Sequence, residues 1–512
     1  MAKIDFTAPK TAPRQAADPI EIQPRNSARA WSSYQIAVFD FVEHGQGNAV
    51  VEAVAGSGKT TTIVEALKRV RGSSIFLAFN KSIAEELKRR GVNARTFHSL
   101  TYSPVTKHKQ ARNIDVDKLR RLCDAKLSGD DAQLYGAFIT RLVGLGRQAG
   151  IGCLVPDVQQ TWLDLVEYHD MELESEYADL GRALELASKL LQESNASNMV
   201  DFDDLLYLAV KEGLSLPKFD FVFVDEAQDT NAIQRAILRK IMHKGSRLVA
   251  VGDPAQAIYG FRGADSDSLD LVADEFECKR LPLTISYRCP QAVVNYAQQW
   301  VSHIQAAPNA SEGEVQDLGL KWDAKVFQAG DLVVCRTTAP IIALAYKMLR
   351  ARVPVQVMGR EIGQGLKTLI NKLNARGIDQ LISKLEAWRT REVEKATAKK
   401  QDAKAEALND KADAILCLVD GMVETDRSVP ALLRIIDNLF ADKGAATVLA
   451  TIHKAKGLEA PRVFWLNRSL CPAQWAKQEW QQQQEVNLCY VAATRAQQTL
   501  VIIEAEKKER QG

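Results

Sequence analysis

Residues 53–60 read Ala-Val-Ala-Gly-Ser-Gly-Lys-Thr, at the end of the apolar run 49–51 and leading into a helical pattern over 59–69. Strand, glycine turn and helix in that order commit the chain to an α/β core. Gly56 and Gly58 let successive backbone N–H groups point into one concavity. The helix that follows adds its positive end, so the turn suits a polyphosphate. Lys59 is placed to reach the β- and γ-phosphates, and the Thr60 hydroxyl to ligate Mg2+. Ala53 stands where such a loop usually has its first glycine.

A second half of the same site comes much later. The apolar run 221–224 reads as a buried parallel strand. It ends in Asp225-Glu226-Ala227-Gln228-Asp229. Asp225 suits Mg2+ through the metal's water shell, and Glu226 suits the proton of an attacking water. Nucleotide hydrolysis with Mg2+ is the chemistry these two segments imply together.

Composition narrows the class without naming a substrate. A length of 512 residues suggests roughly three or four domains. With 46% hydrophobic and 25% charged residues, the chain reads as an ordinary soluble globular protein. A net charge of +2 neither predicts nor excludes nucleic acid. The eight cysteines lie scattered with no C-x-x-C, which reads as reduced thiols in a cytoplasmic protein, not zinc or iron–sulfur ligands. No apolar stretch is long enough to span a membrane, and no apolar signal core opens the chain. Residues 1–28, with Pro9, Pro13, Pro19 and Pro24, read as a loose tail.

Along the chain, strand–helix alternation is interrupted twice. A helix at 33–42, the phosphate-loop unit, a strand at 74–78, a helix at 81–90 and a strand at 93–96 come first. Residues 103–200 then read as helical, with amphipathic charged stretches at 117–126 and 182–193. The βα pattern resumes with strand 221–224, helix 231–243 and strand 247–251. A second block opens with strand 331–336, helix 339–350 and strand 355–358, and closes with strands 447–452 and 462–466, helix 484–496 and strand 499–503. Between them, 363–444 reads as helical, centred on a long charged run at 384–416 with local pairs such as Glu392 and Lys395. The expected fold class is α/β: two cores of parallel sheet with flanking helices, each split by a mainly helical insert.

Three further clusters suggest a motor. After strand 247–251 comes Gly252-Asp253-Pro254-Ala255-Gln256-Ala257-Ile258-Tyr259-Gly260-Phe261. Gln256 is placed to sense a γ-phosphate, and Tyr259 and Phe261 to stack on bases. Tyr287 offers a flat face for an adenine, and Arg288 a guanidinium for phosphate charge. Arg495, in Thr494-Arg495-Ala496, would be a second such finger. His453 suits a nucleic-acid backbone, and Glu459 suits the ATP ribose.

Taken together, these segments resemble, in order from Trp31 to Ile503, the superfamily 1 helicases of the UvrD/Rep/PcrA type. The resemblance implies two RecA-like P-loop domains: 29–102 with 201–285, and 286–362 with 445–512. The inserts would be 103–200 and a reduced 363–444. It implies that Gln35 reads the adenine and that Ala55, Gly56, Ser57, Gly58, Lys59, Thr60 and Thr61 hold the phosphates. Asp225 and Glu226 match the Walker B pair. Gln256, Arg288 and Arg495 match the γ-phosphate contacts, Tyr287 the adenine stack and Glu459 the ribose contact. Phe79, Asn80, Thr96, Phe97, His98, Tyr259, Phe261, Arg262 and His453 fall where the family touches single-stranded DNA. Asp201-Phe202-Asp203-Asp204-Leu205-Leu206 matches the signature that reopens the first core.

The implied activity is ATP-driven 3′→5′ translocation on single-stranded DNA with strand separation at single-strand/duplex junctions. The expected protein is a cytoplasmic monomer of bacterial or phage type (nuclear in a eukaryote). Phe261 stands where the best-known members carry tryptophan, and a threonine that those members place after the phenylalanine is missing beside Phe79. These variants are more similar to the F-box DNA helicase branch and short phage-like relatives. No F-box is expected before Gln35, and no C-terminal nuclease or partner module after Ile503. A nucleotide-gated, DNA-end-sensing regulatory ATPase is the second reading, and an RNA translocase the third.

Overall fold

The computed structural model describes residues 30–505 except 128, 170, 172, 174–176, 261–266, 400, 424–425, 442–443 and 445. The expected tail at 1–28, and both Phe261 and Arg262, lie outside the described residues. The chain forms two compact units, 1–53 with 58–284 and 54–57 with 285–512.

The first unit is built on a six-stranded sheet. Its strands are β1 (Asn48–Ala53), β2 (Ser74–Leu77), β3 (Ala94–Arg95), β4 (Phe219–Val224), β5 (Met242–Gly252) and β6 (Cys278–Leu283). They run in the order β3-β2-β4-β5-β1-β6, and every neighbouring pair is parallel. Alternate residues feed opposite faces. Ala49, Val51, Phe223, Val249 and Val251 pack with Phe39 and Ile63 on one side. Val50, Val222, Val224, Leu248 and Ala250 join the larger core on the other. Burial of both faces explains why these strands read as unbroken apolar runs.

Two expectations need correction here. The helix expected over 231–243 stops at Ile241, because Met242 already begins an eleven-residue β5. Strand β6 was not foreseen: its sequence, with Lys279, Arg280 and Pro282, carries no unbroken apolar run. At a sheet edge a proline's missing N–H removes no ladder bond that the sheet needs.

Helices α1 (Ser33–His44), α2 (Lys59–Leu67) and α3 (Lys81–Arg89) belong to the sheet, and α4 (Phe97–Lys109) leads out of it. This last helix runs unbroken past residue 103, where the first insert was expected to begin. The insert continues as α5 (Lys118–Lys126), α6 (Gly129–Ala149), α7 (Gln159–Tyr168) and α8 (Leu180–Ala196). The chain returns through α9 (Phe202–Lys211), then α10 (Ala232–Ile241) and α11 (Ser268–Glu275).

A buried ionic cluster fastens the return. Asp201 caps α9 and shares a capping box with Asp204. Lys118 Nζ donates to Asp204 at 2.6 Å and to the Ser194 carbonyl at 2.8 Å. Arg147 donates to Asp201 and Asp204, each at 2.9 Å, and to Asp203 at 3.3 Å. Buried charges add little net stability, but loss of one partner strands the others in a low dielectric. The Asp201–Leu206 signature thus holds insert helices α5 and α6 to the core.

His169, just after α7, is buried, and its Nδ1 meets no hydrogen-bond partner among the described residues. Burial, with Arg141 nearby, pushes its pKa down to about 4. The folded state therefore favours neutral imidazole, whereas the unfolded chain takes up a proton near its ordinary value of 6.5. The resulting stability is complete above about pH 6.5 and is lost as pH falls toward 4, by about 3 kcal/mol at most. Urea midpoints at pH 7 and 4.5 should fall further for the wild type than for His169→Phe; equal falls would exclude the effect.

The second unit opens on a small ladder of β7 (Ile285–Ser286) and β8 (Gln305–Ala306), with α12 (Gln291–Ala297) between them. Its main sheet comprises β9 (Glu314–Gly319), β10 (Leu332–Cys335), β11 (Val355–Val357), β12 (Thr447–Thr451), β13 (Ala460–Leu466) and β14 (Ala496–Ile503). The order is β11-β12-β10-β13-β14-β9, again all parallel. Strand β9 was not foreseen: Glu-Val-Gln-Asp-Leu-Gly is polar, as an exposed sheet edge allows.

Its helices are α13 (Ala339–Arg350), α14 (Arg360–Leu373), α15 (Ile378–Ala398), α16 (Asp402–Gly421), α17 (Val429–Leu439), α18 (Ile452–Ala455) and α19 (Glu479–Ala493). The long charged run is therefore two helices, joined by Arg389 to Asn409 at 2.8 Å and to Asp413 at 3.0 Å. The expected Glu392–Lys395 pair is present at 3.8 Å. Asp410 of α16 caps α13 by accepting from the Thr338 and Ala339 N–H groups at 2.8 and 2.7 Å. Among the described residues no helix is long and apolar enough to cross a membrane.

Candidate nucleotide site and nucleic-acid interface

Each described candidate residue of the first unit, apart from Gln35 on α1, lies at or just beyond the carboxyl end of a strand, where parallel sheets gather ligand-binding loops. The turn after β1 places Gly56 and Gly58 at φ 71° and 75°, a region that an L side chain rarely adopts. Lys59 Nζ lies 3.6 Å from Glu226 Oε1, just beyond β4. The Thr60 hydroxyl donates to Asp225 Oδ2 at 3.1 Å. Ala55 and Ser57 are buried, and Thr61 is half-buried.

Asp225 is buried, and burial together with the Glu226 charge pushes its pKa up to about 6, against the pull of Lys59. A carboxylate so placed favours a cation. Two neighbouring oxygens on an octahedral Mg2+ at about 2.1 Å stand about 3 Å apart. The Thr60–Asp225 pair fits that spacing, so these residues suit the ion. Glu226 sits at φ 51°, a left-handed backbone for a non-glycine residue, as functional sites sometimes hold.

Two residues within the quoted motifs had no role from sequence alone. Gln228 Nε2 donates to Glu226 Oε2, and Gln228 Oε1 accepts from the Asp253 N–H at 3.0 Å. Asp253 Oδ2 then accepts from Gln256 Nε2 at 2.6 Å. A hydrogen-bonded chain thus runs from Glu226 to Gln256. Burial raises the pKa of Asp253, and Lys59 counters it. Gln35, on α1, shares a capping box with Ser32 and donates to Thr62 at 3.0 Å.

Within the second unit, Arg288 Nε forms an ion pair with Glu459 at 2.5 Å. Its Nη1 donates to the Thr494 carbonyl at 3.4 Å. Arg495 is buried, and its guanidinium donates to the Val491 and Leu458 carbonyls at 2.9 and 3.2 Å. Arg288, Glu459 and Arg495 are therefore gathered at one place, with Arg495 turned inward. Tyr287 is exposed. His453, on α18, is half-buried.

Two aromatic candidates of the first unit, Phe79 and Tyr259, border a slot. Phe79, after β2, and Tyr259, after β5, lie parallel within 5°, with ring centroids 6.4 Å apart. Bases stack at about 3.4 Å, so one base between two rings needs about 7 Å. The rings border a cavity of about 350 Å³ that also meets His98, Arg147, Asp203 and Asn231.

Asn80 and Thr96 cap α3 and α4 by accepting from the Ile83 and Ser99 N–H groups. Phe97 departs from the expected base-contacting surface: it is 5% exposed and belongs to the core, lining the cavity as a wall. Burial lowers the pKa of His98. Phe202, 54% exposed, meets His98 edge-on at 6.2 Å. The sequence reading gave Phe202 no ligand role; an apolar side chain at the first, solvent-facing turn of α9 was its only signal.

Residues 37–277 match the family model of the UvrD/REP helicase N-terminal domain, and residues 431–507 that of the UvrD-like helicase C-terminal domain. The chain is 26% identical over 298 residues to a probable DNA helicase II homolog of Mycoplasma pneumoniae, which covers 52% of this chain and 41% of that protein. It is 25% identical to the ATP-dependent DNA helicase PcrA of Leuconostoc citreum, over 51% of this chain and 38% of that one. F-box DNA helicase protein 1 of Schizosaccharomyces pombe is 25% identical over 88% of this chain and 55% of its own. The chain thus spans about half the length of these relatives, or less.

Proposed function

Because the chain belongs to the UvrD/REP helicase family, we propose that it hydrolyses ATP to move 3′→5′ along single-stranded DNA and to separate strands at duplex junctions. It would act as a cytoplasmic monomer. The loop 54–58 and the start of α2 would hold the nucleotide, and Thr60 and Asp225 would hold Mg2+. Glu226 would take the proton of the attacking water, with Lys59 and Gln256 at the phosphate charge; for Arg288 and Arg495 the same role is proposed from the family resemblance alone. Gln35 would read the adenine, and the family resemblance alone proposes Tyr287 for the adenine and Glu459 for the ribose. The ion supplies charge neutralisation for the transferring phosphoryl group.

One observation carries this reading. The loop after β5 holds both Gln256, hydrogen-bonded through Asp253 and Gln228 to Glu226, and Tyr259, one wall of the base slot. Any shift of that loop on phosphate release moves the slot with it, which is the coupling a translocase needs. Steady-state ATPase with and without single-stranded DNA tests the reading, alongside Glu226→Gln. Stimulation by DNA that the variant loses supports it, and hydrolysis indifferent to DNA rejects it. Duplexes with a 3′ or a 5′ tail then decide polarity.

A further inference from the structure

Three threonines follow Lys59, and the third has no role above. Thr62 is fully buried on α2. Its hydroxyl donates to the Gly58 carbonyl at 2.9 Å and accepts from Gln35 Nε2 at 3.0 Å. The hydroxyl proton is thus committed to Gly58, and a lone pair is left facing the amide. On its other side the Gln35 amide oxygen meets the Ser32 backbone N–H at 3.2 Å. A backbone N–H only donates, so the oxygen must face Ser32 and the NH2 must face Thr62. Two fixed neighbours therefore set which way the amide points.

That polarity decides what the amide can read. A glutamine amide pairs with adenine through N6–H and N7, its oxygen to the first and its NH2 to the second. Guanine offers acceptors at both O6 and N7, so the same amide sets oxygen against oxygen. An amide free to turn over loses that distinction. We propose that Thr62 is a positioning residue that locks the Gln35 amide for adenine and ties it, through Gly58, to the phosphate loop. This rests on the reading of Gln35 as the adenine contact.

The test is steady-state hydrolysis of ATP and GTP by wild type, Thr62→Val, Thr62→Ser and Gln35→Ala. Valine keeps the shape and removes the hydroxyl; serine keeps the hydroxyl. Thr62→Val should lower the ATP:GTP ratio of kcat/KM about tenfold, chiefly through KM for ATP. Thr62→Ser should keep the wild-type ratio, and Gln35→Ala should lose it. An unchanged ratio in Gln35→Ala, or no preference in the wild type, removes the adenine reading and the proposal with it. Loss in Gln35→Ala but not in Thr62→Val overturns the Thr62 proposal alone. So does an equal fall of kcat on both nucleotides in Thr62→Val, the mark of a merely structural threonine. Should Thr62→Val lack a cooperative thermal melt, Thr62→Ala makes the same comparison.

Discussion

Lys59→Ala is expected to lower kcat for ATP hydrolysis by at least about a hundredfold, the scale of losing one preorganised charge at a phosphoryl centre. The surroundings make the effect large. The lysine side chain is only 12% exposed and stands 3.6 Å from Glu226. Its charge acts on buried Asp225 and Asp253 as well. Without it, three carboxylates face one another around the phosphate position, and the two buried ones are driven further toward the protonated form. Mg2+ binding at Asp225 weakens for the same reason. Lys59→Arg keeps the charge but not the compact ammonium, so it should not restore the rate. Malachite-green or coupled-enzyme assays under saturating ATP decide the matter; hydrolysis within a factor of ten of wild type would sink the assignment of the site.

The second large effect is expected at Phe79. Its ring is 46% exposed, so the core does not depend on it, and Phe79→Ala should leave the thermal midpoint unchanged. What it removes is one wall of the slot facing Tyr259. Stacking of a base on an aromatic side chain contributes about 1–3 kcal/mol, which translates into a five- to more than hundredfold loss of affinity for single-stranded DNA. Fluorescence anisotropy with a labelled oligonucleotide measures this directly. Phe79→Trp should preserve binding, because the wall needs a flat ring and not phenylalanine itself. Unchanged affinity in Phe79→Ala would mean that bases pass elsewhere.

Much of the candidate nucleotide site was legible because each half announces itself locally. An apolar run entering Gly-Ser-Gly-Lys-Thr, and another entering Asp-Glu, are patterns that a short window contains. The chain from Glu226 through Gln228 and Asp253 to Gln256 was not legible. It depends on β4 and β5 being neighbours in the sheet, and strand order is a property of the whole chain. Strand β6 was hidden by its own Lys-Arg and proline, which an edge position tolerates and a central one would not. The inward turn of Arg495 and the core burial of Phe97 were equally out of reach. Helical position says which residues share a face, but not which carbonyls or cavities they meet. Thr62 shows the same limit: it lay unassigned beside two threonines with expected roles, and only its hydrogen bonds to Gly58 and Gln35 set it apart.

The ionic cluster under the base slot has an electrostatic consequence. Arg147 and Lys118 face Asp201, Asp203 and Asp204, so the two cations are matched or outnumbered, and Arg147 and Asp203 also line the cavity. His98, its pKa lowered by burial, adds no charge there at neutral pH. Among the described residues the slot therefore offers no surplus positive charge to a phosphate. On the proposed function, a strand bound here would present its bases inward and leave its backbone, with its condensed counterions, toward solvent. Binding at this slot should release few of those ions, so its share of the affinity should persist as salt rises while contacts to the backbone fade.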